Sequence, residues 1–165
     1  MNKLSQIKTL GKGGMAEVIL VKEEKTGRYM AYKQLHEYQA YANSCLEKEI
    51  QLLSSFAHPQ IPKFEGRDAN GFYMSYIKGT TLAELVQSDT KIEKRIIKRW
   101  LCQCCDILQY LHTKGYVYLD MKPQNLMLDD QGDIVLIDFG SCMPIHGTSN
   151  PLLAFTPRLS GTRVR

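Results

Sequence analysis

Along the first third of the chain, short runs of β-branched and aromatic residues alternate with polar ones. Residues 7–10 (Ile7 to Leu10) lead into a glycine-rich turn, and Val18 to Val21 lead out of it. The charged stretch from Lys22 to Arg28 contains Gly27 and reads as a turn, and Tyr29 to Gln34 as a third strand. From about Tyr41 to Phe56 the period changes. Leu46, Ile50 and Leu53 recur at helical spacing, and Leu52 and Phe56 widen the face. His58-Pro59 stops that helix, because the residue before a proline is pushed out of the helical region. Two further strands are predicted near 63–66 and 72–76, joined by the hairpin signal Asn70-Gly71. A short helix follows over 82–87 and a long one over 91–113. The long helix takes Thr90 and Glu93 as a capping box, and Ile96, Ile97, Trp100, Leu101, Cys104, Leu108 and Leu111 as its apolar face. Gly115 ends it. Strands at 116–119 and 126–128, a turn at Asp129-Asp130-Gln131-Gly132 and a return strand at 134–137 complete the pattern. The order predicts an α+β, two-lobed domain: a five-stranded lobe with one helix (about 1–76), then a partial, mainly helical lobe carrying a small hairpin (about 77–158).

Composition narrows the class. With 44% apolar residues in 165, the chain can bury a single core, which excludes disordered and fibrous classes. The net charge is +4, and the densest basic run, Lys91, Lys94, Arg95, Lys98 and Arg99, falls on a helical pattern. It reads as a solvated face, with no nucleic-acid partner implied. The five cysteines, Cys45, Cys102, Cys104, Cys105 and Cys142, form no Cys-x-x-Cys pair and have no histidines at ligand spacing. They read as free thiols of a cytoplasmic protein. No apolar run approaches the roughly 20 residues that span a membrane.

Candidate chemistry begins at Leu10-Gly11-Lys12-Gly13-Gly14-Met15-Ala16-Glu17-Val18. A glycine-rich turn between two strands lets backbone N–H groups approach phosphate oxygens with no Cβ in the way. The strand on its far side argues against a dinucleotide-binding turn, which would open a helix. In Ala31-Tyr32-Lys33 the small residue and the lysine share one strand face, leaving room for a flat base beside an ammonium. Glu49, at the edge of the apolar face of the first long helix, suits an ion pair with Lys33. Its competitor Glu47 lies about 200° away around the helix. Asp120, Lys122 and Asn125 crowd into a loop closed by Pro123, and the hairpin that follows has Asn125 and Asp138 at its two open ends. An amide oxygen beside a carboxylate suits a hard cation such as Mg²⁺, and Asp120 could accept a proton from an incoming hydroxyl. Asp138-Phe139-Gly140 closes the set.

In this order the motifs resemble those of the eukaryotic-like (bacterial Hanks-type) Ser/Thr protein kinases: glycine-rich loop, strand lysine, helix glutamate, Asp-x-Lys-Pro-x-Asn, Asp-Phe-Gly. His58-Pro59-Gln60-Ile61 is similar to the family's loop after the helix, Met74 to Gly79 to its gatekeeper and hinge, and Leu111 to Tyr116 to the run into its catalytic loop. The resemblance implies ATP and Mg²⁺ as cofactors and a protein Ser/Thr hydroxyl as acceptor. It implies that Leu10, Gly11, Lys12, Gly13 and Gly14 cover the nucleotide, and that Val18, Ala31 and Met127 sandwich adenine. Met74, Ser75, Tyr76 and Ile77 would border the adenine, the last three through their backbone. Lys33 would contact phosphates and pair with Glu49, Asp120 would act as base, Lys122 would steady the transferred phosphate, and Asn125 and Asp138 would hold Mg²⁺. Leu53, Phe64, Tyr118 and Phe139 would stack as a hydrophobic column.

Two departures matter. The third loop glycine is Ala16, and the usual His-Arg before the catalytic aspartate is Tyr118-Leu119. Leucine has no guanidinium to bind a phosphorylated activation loop, so activity independent of that phosphorylation is expected. Thr156-Pro157-Arg158 is similar to the segment before the family's Ala-Pro-Glu motif, but residues 159–165 depart from it as an aberrant tail. One choice of codons for that tail reads, one base later, as Tyr-Pro-Ala-Pro-Glu-Tyr, so a frameshift after Arg158 and a truncated kinase are expected. The competing readings are a non-catalytic ATP- or partner-binding module and a small-molecule kinase.

Overall fold

A computed structural model describes residues 3–36 and 40–145. The alternating segments pair into an antiparallel five-stranded sheet: β1 (Leu4–Lys12), β2 (Ala16–Glu23), β3 (Tyr29–Leu35), β4 (Phe64–Arg67) and β5 (Gly71–Ser75), in the order β1-β2-β3-β5-β4. Period-two alternation divides its side chains. Ala31, Phe72 and Met74 join the main core with Leu46, Ile50, Leu52, Leu53 and Phe56 of α1 (Ala40–Ser55). Ile19, Val21 and Tyr32 form a smaller cluster on the other face, flanked by Met30 and Tyr73.

Beyond the sheet come β6 (Gly79–Thr81), α2 (Leu82–Gln87), α3 (Lys94–Thr113), β7 (Tyr116–Tyr118), β8 (Leu126–Asp129), β9 (Ile134–Leu136) and β10 (Cys142–Pro144). The β8–β9 hairpin extends to β6, while β7 pairs with β10. Leu136 N–H donates to the Gln60 carbonyl at 3.0 Å, tying the hairpin to the loop after α1. Arg99 and Trp100 of α3 both donate to the Gly132 carbonyl, and Gln103 donates to Asp133, so the hairpin tip is fixed to α3. Among the described residues, no helix is long and apolar enough to cross a membrane.

Two expectations are corrected. The long helix starts at Lys94, and its N-cap Glu93 makes no side-chain cap bond. Thr90 hydroxyl pairs instead with Ser88, and the Glu93 carboxylate with Arg95. The capping box sits one helix earlier, where Thr81 Oγ1 accepts from Glu84 N and Thr81 N donates to the Glu84 carboxylate. The buried stripe of α3 centres on Ile107 and Leu111. Ile97 and Leu101 lie roughly 60° and 100° around the helix from its midpoint and are 42% and 62% exposed. The hairpin expected at Asn70-Gly71 forms between β4 and β5, with Gly71 outside the left-handed region. The turn is closed by Asp68 N–H on the Gly71 carbonyl, and a Cβ at Gly71 would sit 2.2 Å from the Lys33 carbonyl oxygen. Gly115 does end α3 in the left-handed region, at φ 84°. Thr156-Pro157-Arg158 and the tail 159–165 lie outside the described residues.

Asp68 organises the far side of the sheet. Its carboxylate accepts from Tyr32 and Tyr73 hydroxyls at 2.8 and 2.7 Å and from Asn70 and Gly71 N–H groups at 2.9 Å each. The two rings stack, with centroids 4.5 Å apart. Burial opposes the Asp68 charge, but these four donors outweigh it and hold the carboxyl below its usual range. Burial and the adjacent carboxylate push both phenols up, Tyr73 to about 12. A depressed carboxyl contributes stability above its unfolded value, about pH 4, and loses it as pH falls through the lower folded value. We therefore expect Asp68→Asn to cost about 1–2 kcal/mol at neutral pH by chemical denaturation. Its deficit relative to wild type should shrink below pH 4.

Candidate active site

A cavity of about 270 Å³ opens beside the sheet, just under the roughly 300 Å³ at which ligand cavities usually begin. Leu10, Gly11, Val18, Ala31, Met74, Ser75, Tyr76, Ile77 and Met127 line it, all of them anticipated from the sequence. Lys8, Thr9, Pro62, Gly79, Thr81, Glu84 and Ile137 line it too and were not anticipated. Gly79 had a sequence signal as the end of the hinge-like run from Met74, and Ile137 had one in its place one residue before Asp138. Lys12, Gly13, Gly14, Lys33 and Asp138 fall outside the lining. Lys12 ends β1 opposite Glu17, and Gly13 N–H closes the turn on the Ala16 carbonyl at 2.8 Å. A Cβ built on Gly11 or Gly14 would meet nothing within 4 Å, so the backbone there borders open space.

On the same strand face as Ala31, Lys33 Nζ lies 2.7 and 2.6 Å from the two Glu49 carboxylate oxygens and 3.6 Å from Asp138. Glu47 turns away and pairs with Arg67 on the surface. The Lys33 and Glu49 side chains are 14% and 6% exposed. Burial works against the lysine charge, but Glu49 and Asp138 outweigh it and hold the ammonium above its ordinary value. Burial also raises the Glu49 carboxyl, against the pull of Lys33. The two shifts thus favour opposite states, a charged lysine and a neutral acid. Both carboxylate oxygens at hydrogen-bond distance from one ammonium fit the ionised pair, and we take it as ionised. Glu49 Oε1 also accepts from Phe139 N–H at 3.3 Å, so the helix carboxylate reaches Asp138-Phe139-Gly140 as well as the lysine.

The loop between β7 and β8 gathers the remaining residues. Lys122 Nζ lies 2.6 Å from the Asp120 carboxylate. Buried Asn125 donates Nδ2 to Tyr118 hydroxyl at 3.0 Å and to the Asp120 carbonyl and carboxylate at 2.9 Å each. Ile137 N–H donates to the Asn125 carbonyl, so the residues flanking Asp138 and Asn125 meet across the hairpin mouth. Asp138 Oδ1 accepts from Gly140 N–H at 3.0 Å. Leu53, Phe64, Tyr118 and Phe139 all belong to the main core, with the Tyr118 and Phe139 rings edge to face at 6.5 Å. The Tyr118–Asn125 bond and the Lys122–Asp120 pair carried no pattern signal, because both are contacts within one irregular loop.

Removing one member of a buried ion pair leaves the other charge uncompensated, so Glu49→Ala should destabilise the fold by about 3–5 kcal/mol. Glu47→Ala removes only a surface pair and should leave the midpoint close to wild type. Urea denaturation of the two variants checks this.

The protein kinase domain family model matches residues 4–163. Over 149 residues the chain is 34% identical to RAC-beta serine/threonine-protein kinase of Homo sapiens, covering 86% of the chain and 31% of that protein. It is 32% identical over 141 residues to cAMP-dependent protein kinase type 3 of Saccharomyces cerevisiae, covering 81% and 35%. With Serine/threonine-protein kinase cds1 of Schizosaccharomyces pombe it shares 29% over 160 residues, covering 90% and 35%. The chain thus spans about a third of the length of these curated relatives. With the motifs in family order and the match running through nearly all its residues, the chain belongs to the protein kinase domain family.

Proposed function

We propose that the chain carries the nucleotide-binding and phosphotransfer residues of a protein Ser/Thr kinase. The observation that supports this most is the Lys33–Glu49–Asp138 cluster, a buried, paired cation joined to the Asp-Phe-Gly segment. The residues fit ATP. An apolar slot formed by Val18, Ala31, Met74 and Met127 lies beside the open glycine-rich backbone. Ser75 N–H donates to the Lys63 carbonyl and its hydroxyl accepts from Lys63 N–H. The adenine edge is therefore assigned to the Ser75 carbonyl and the peptide groups of Tyr76 and Ile77. Lys33 would hold phosphate oxygens, Asp120 would take the hydroxyl proton, and Lys122 would balance charge on the transferred group.

Asn125 and Asp138 would hold Mg²⁺, which supplies charge neutralisation when bound. Among the described residues no group of three or more His, Cys, Asp or Glu could hold a metal alone. The donor set suits an ion that completes its shell with water and phosphate oxygens. Lys122 in the Asp-x-Lys-Pro context favours Ser/Thr over Tyr acceptors, in keeping with the Ser/Thr kinases it matches. The narrower bacterial Hanks-type placement, a cytoplasmic location without nucleic-acid partners, and a boundary between lobes near residue 76 belong to the same proposal. The boundary has support in the main sheet ending at Ser75.

The test is transfer of labelled phosphate from Mg-ATP to a casein-like protein. Asp120→Asn should lower the rate by about 10²–10⁴-fold while Mg-ATP still binds. Binding with no transfer by the wild-type chain would favour a non-catalytic module, and transfer to a sugar or antibiotic alone would favour a small-molecule kinase. Leu119 is 65% exposed and offers no guanidinium to a phosphate. Phosphatase treatment is accordingly expected to leave the rate unchanged, and an abolished rate would contradict that expectation.

A further inference from the structure

The glycine-rich turn is held from outside the nucleotide cavity by one histidine just past β3. His36 N–H donates to the Met15 carbonyl at 3.1 Å, and its ring Nε2 lies 2.9 Å from the Gly13 carbonyl. A carbonyl oxygen can only accept, so the ring nitrogen is the donor. Gly13 N–H is already committed to Ala16, so both polar groups of Gly13 are fixed.

Alternation along β3 places Tyr32 and Gln34 on one side and Ala31 and Lys33 on the other, and His36 follows just past the end of the strand. Gln34 confirms the seam, since its amide donates to Glu17 across the same edge at 2.8 Å. In a trans peptide the C=O of one residue and the N–H of the next point in opposite directions. Anchoring the Gly13 carbonyl to His36 therefore aims Gly14 N–H away from His36. The space around Gly14 is open.

We propose that His36 is a positioning residue for the phosphates of a bound nucleotide. Its ring holds the Gly13–Gly14 peptide so that Gly14 N–H faces the phosphate position beside Lys33. The inference rests on the nucleotide-site reading above and deepens it. His36 is not among the residues lining the cavity and its hydrogen bonds go to Met15 and Gly13, so it acts on the phosphate end and leaves the adenine end alone.

The test compares Mg-ATP and adenosine binding, by calorimetry, for the whole chain and for His36→Ala and His36→Gln. Glutamine keeps an N–H donor of similar reach. Loss of one hydrogen bond predicts about a 3- to 10-fold weaker affinity of His36→Ala for Mg-ATP, with adenosine affinity unchanged and glutamine restoring most of the loss. Hydrogen exchange gives a ligand-free readout: the Gly13 amide, bonded to the Ala16 carbonyl, should exchange faster in His36→Ala and recover in His36→Gln. Equal Mg-ATP affinity in wild type and His36→Ala would overturn the proposal. So would a parallel loss of adenosine binding, which would mark a general structural defect. If the wild-type chain binds adenosine and Mg-ATP not at all, the nucleotide-site reading itself falls, and this inference with it.

Discussion

The buried Lys33–Glu49 pair is the constraint around which the rest of the structure is arranged. Two opposite charges are held at 2.6 Å where both side chains are largely out of water. Each alone would carry a desolvation penalty that the pair repays only in good geometry. That geometry needs α1 to lie on one face of the sheet in one rotational register. Leu46, Ile50 and Leu53 enforce the register by burying against Phe72 and Met74. A rotation that brought Glu47 inward would expose this apolar stripe and strand the lysine. The pair also reaches further, because Glu49 Oε1 accepts Phe139 N–H. Helix, sheet and the Asp-Phe-Gly segment are thereby joined through one carboxylate.

The second element of order is the β8–β9 hairpin, which carries Asn125 and Asp138 at its mouth. Three-residue pairing alone would be marginal. Its tip is anchored on α3 by Arg99, Trp100 and Gln103, its return strand bonds Gln60, and Ile134 and Leu136 are fully buried. Rigid support at both ends keeps the two oxygen donors from drifting apart. The same support explains why α3 needs its inward stripe shifted to Ile107 and Leu111, the side that faces the hairpin and β7.

Much of this was legible. The five strands and α1 followed from period and turn chemistry, and the choice of Glu49 over Glu47 followed from helical geometry. What failed did so for local reasons. Thr81/Glu84 and Thr90/Glu93 have identical spacing, yet only the first forms a capping box. Ser88 and Arg95 compete successfully for the second pair's side chains. Strands β6 and β10 are three residues long and exist only through partners distant in sequence, so no periodicity announces them. Asn70-Gly71 marked a real turn, but not that Gly71 is also demanded by close approach to the Lys33 carbonyl, a neighbour 38 positions earlier in the chain.

The orientation of Asn125 is the last step. An amide has one donating and one accepting end. Here the donating end is claimed three times, by Tyr118 hydroxyl and by both the carbonyl and the carboxylate of Asp120. A flipped amide would set its oxygen against the Asp120 carbonyl and carboxylate oxygens, which can only accept, so the rotamer is determined by the loop itself. The carbonyl end is then left for a cation on the reading proposed above. A residue expected to ligate metal is therefore oriented by its protein neighbours before any ion arrives, which removes reorganisation from the binding step. Tyr118 thus has two roles in this chain. Its ring packs against Phe139 in the core, and its hydroxyl accepts from the Asn125 amide. A phenylalanine there would keep the packing and lose that contact, while the Asp120 carbonyl and carboxylate would still fix the Asn125 rotamer.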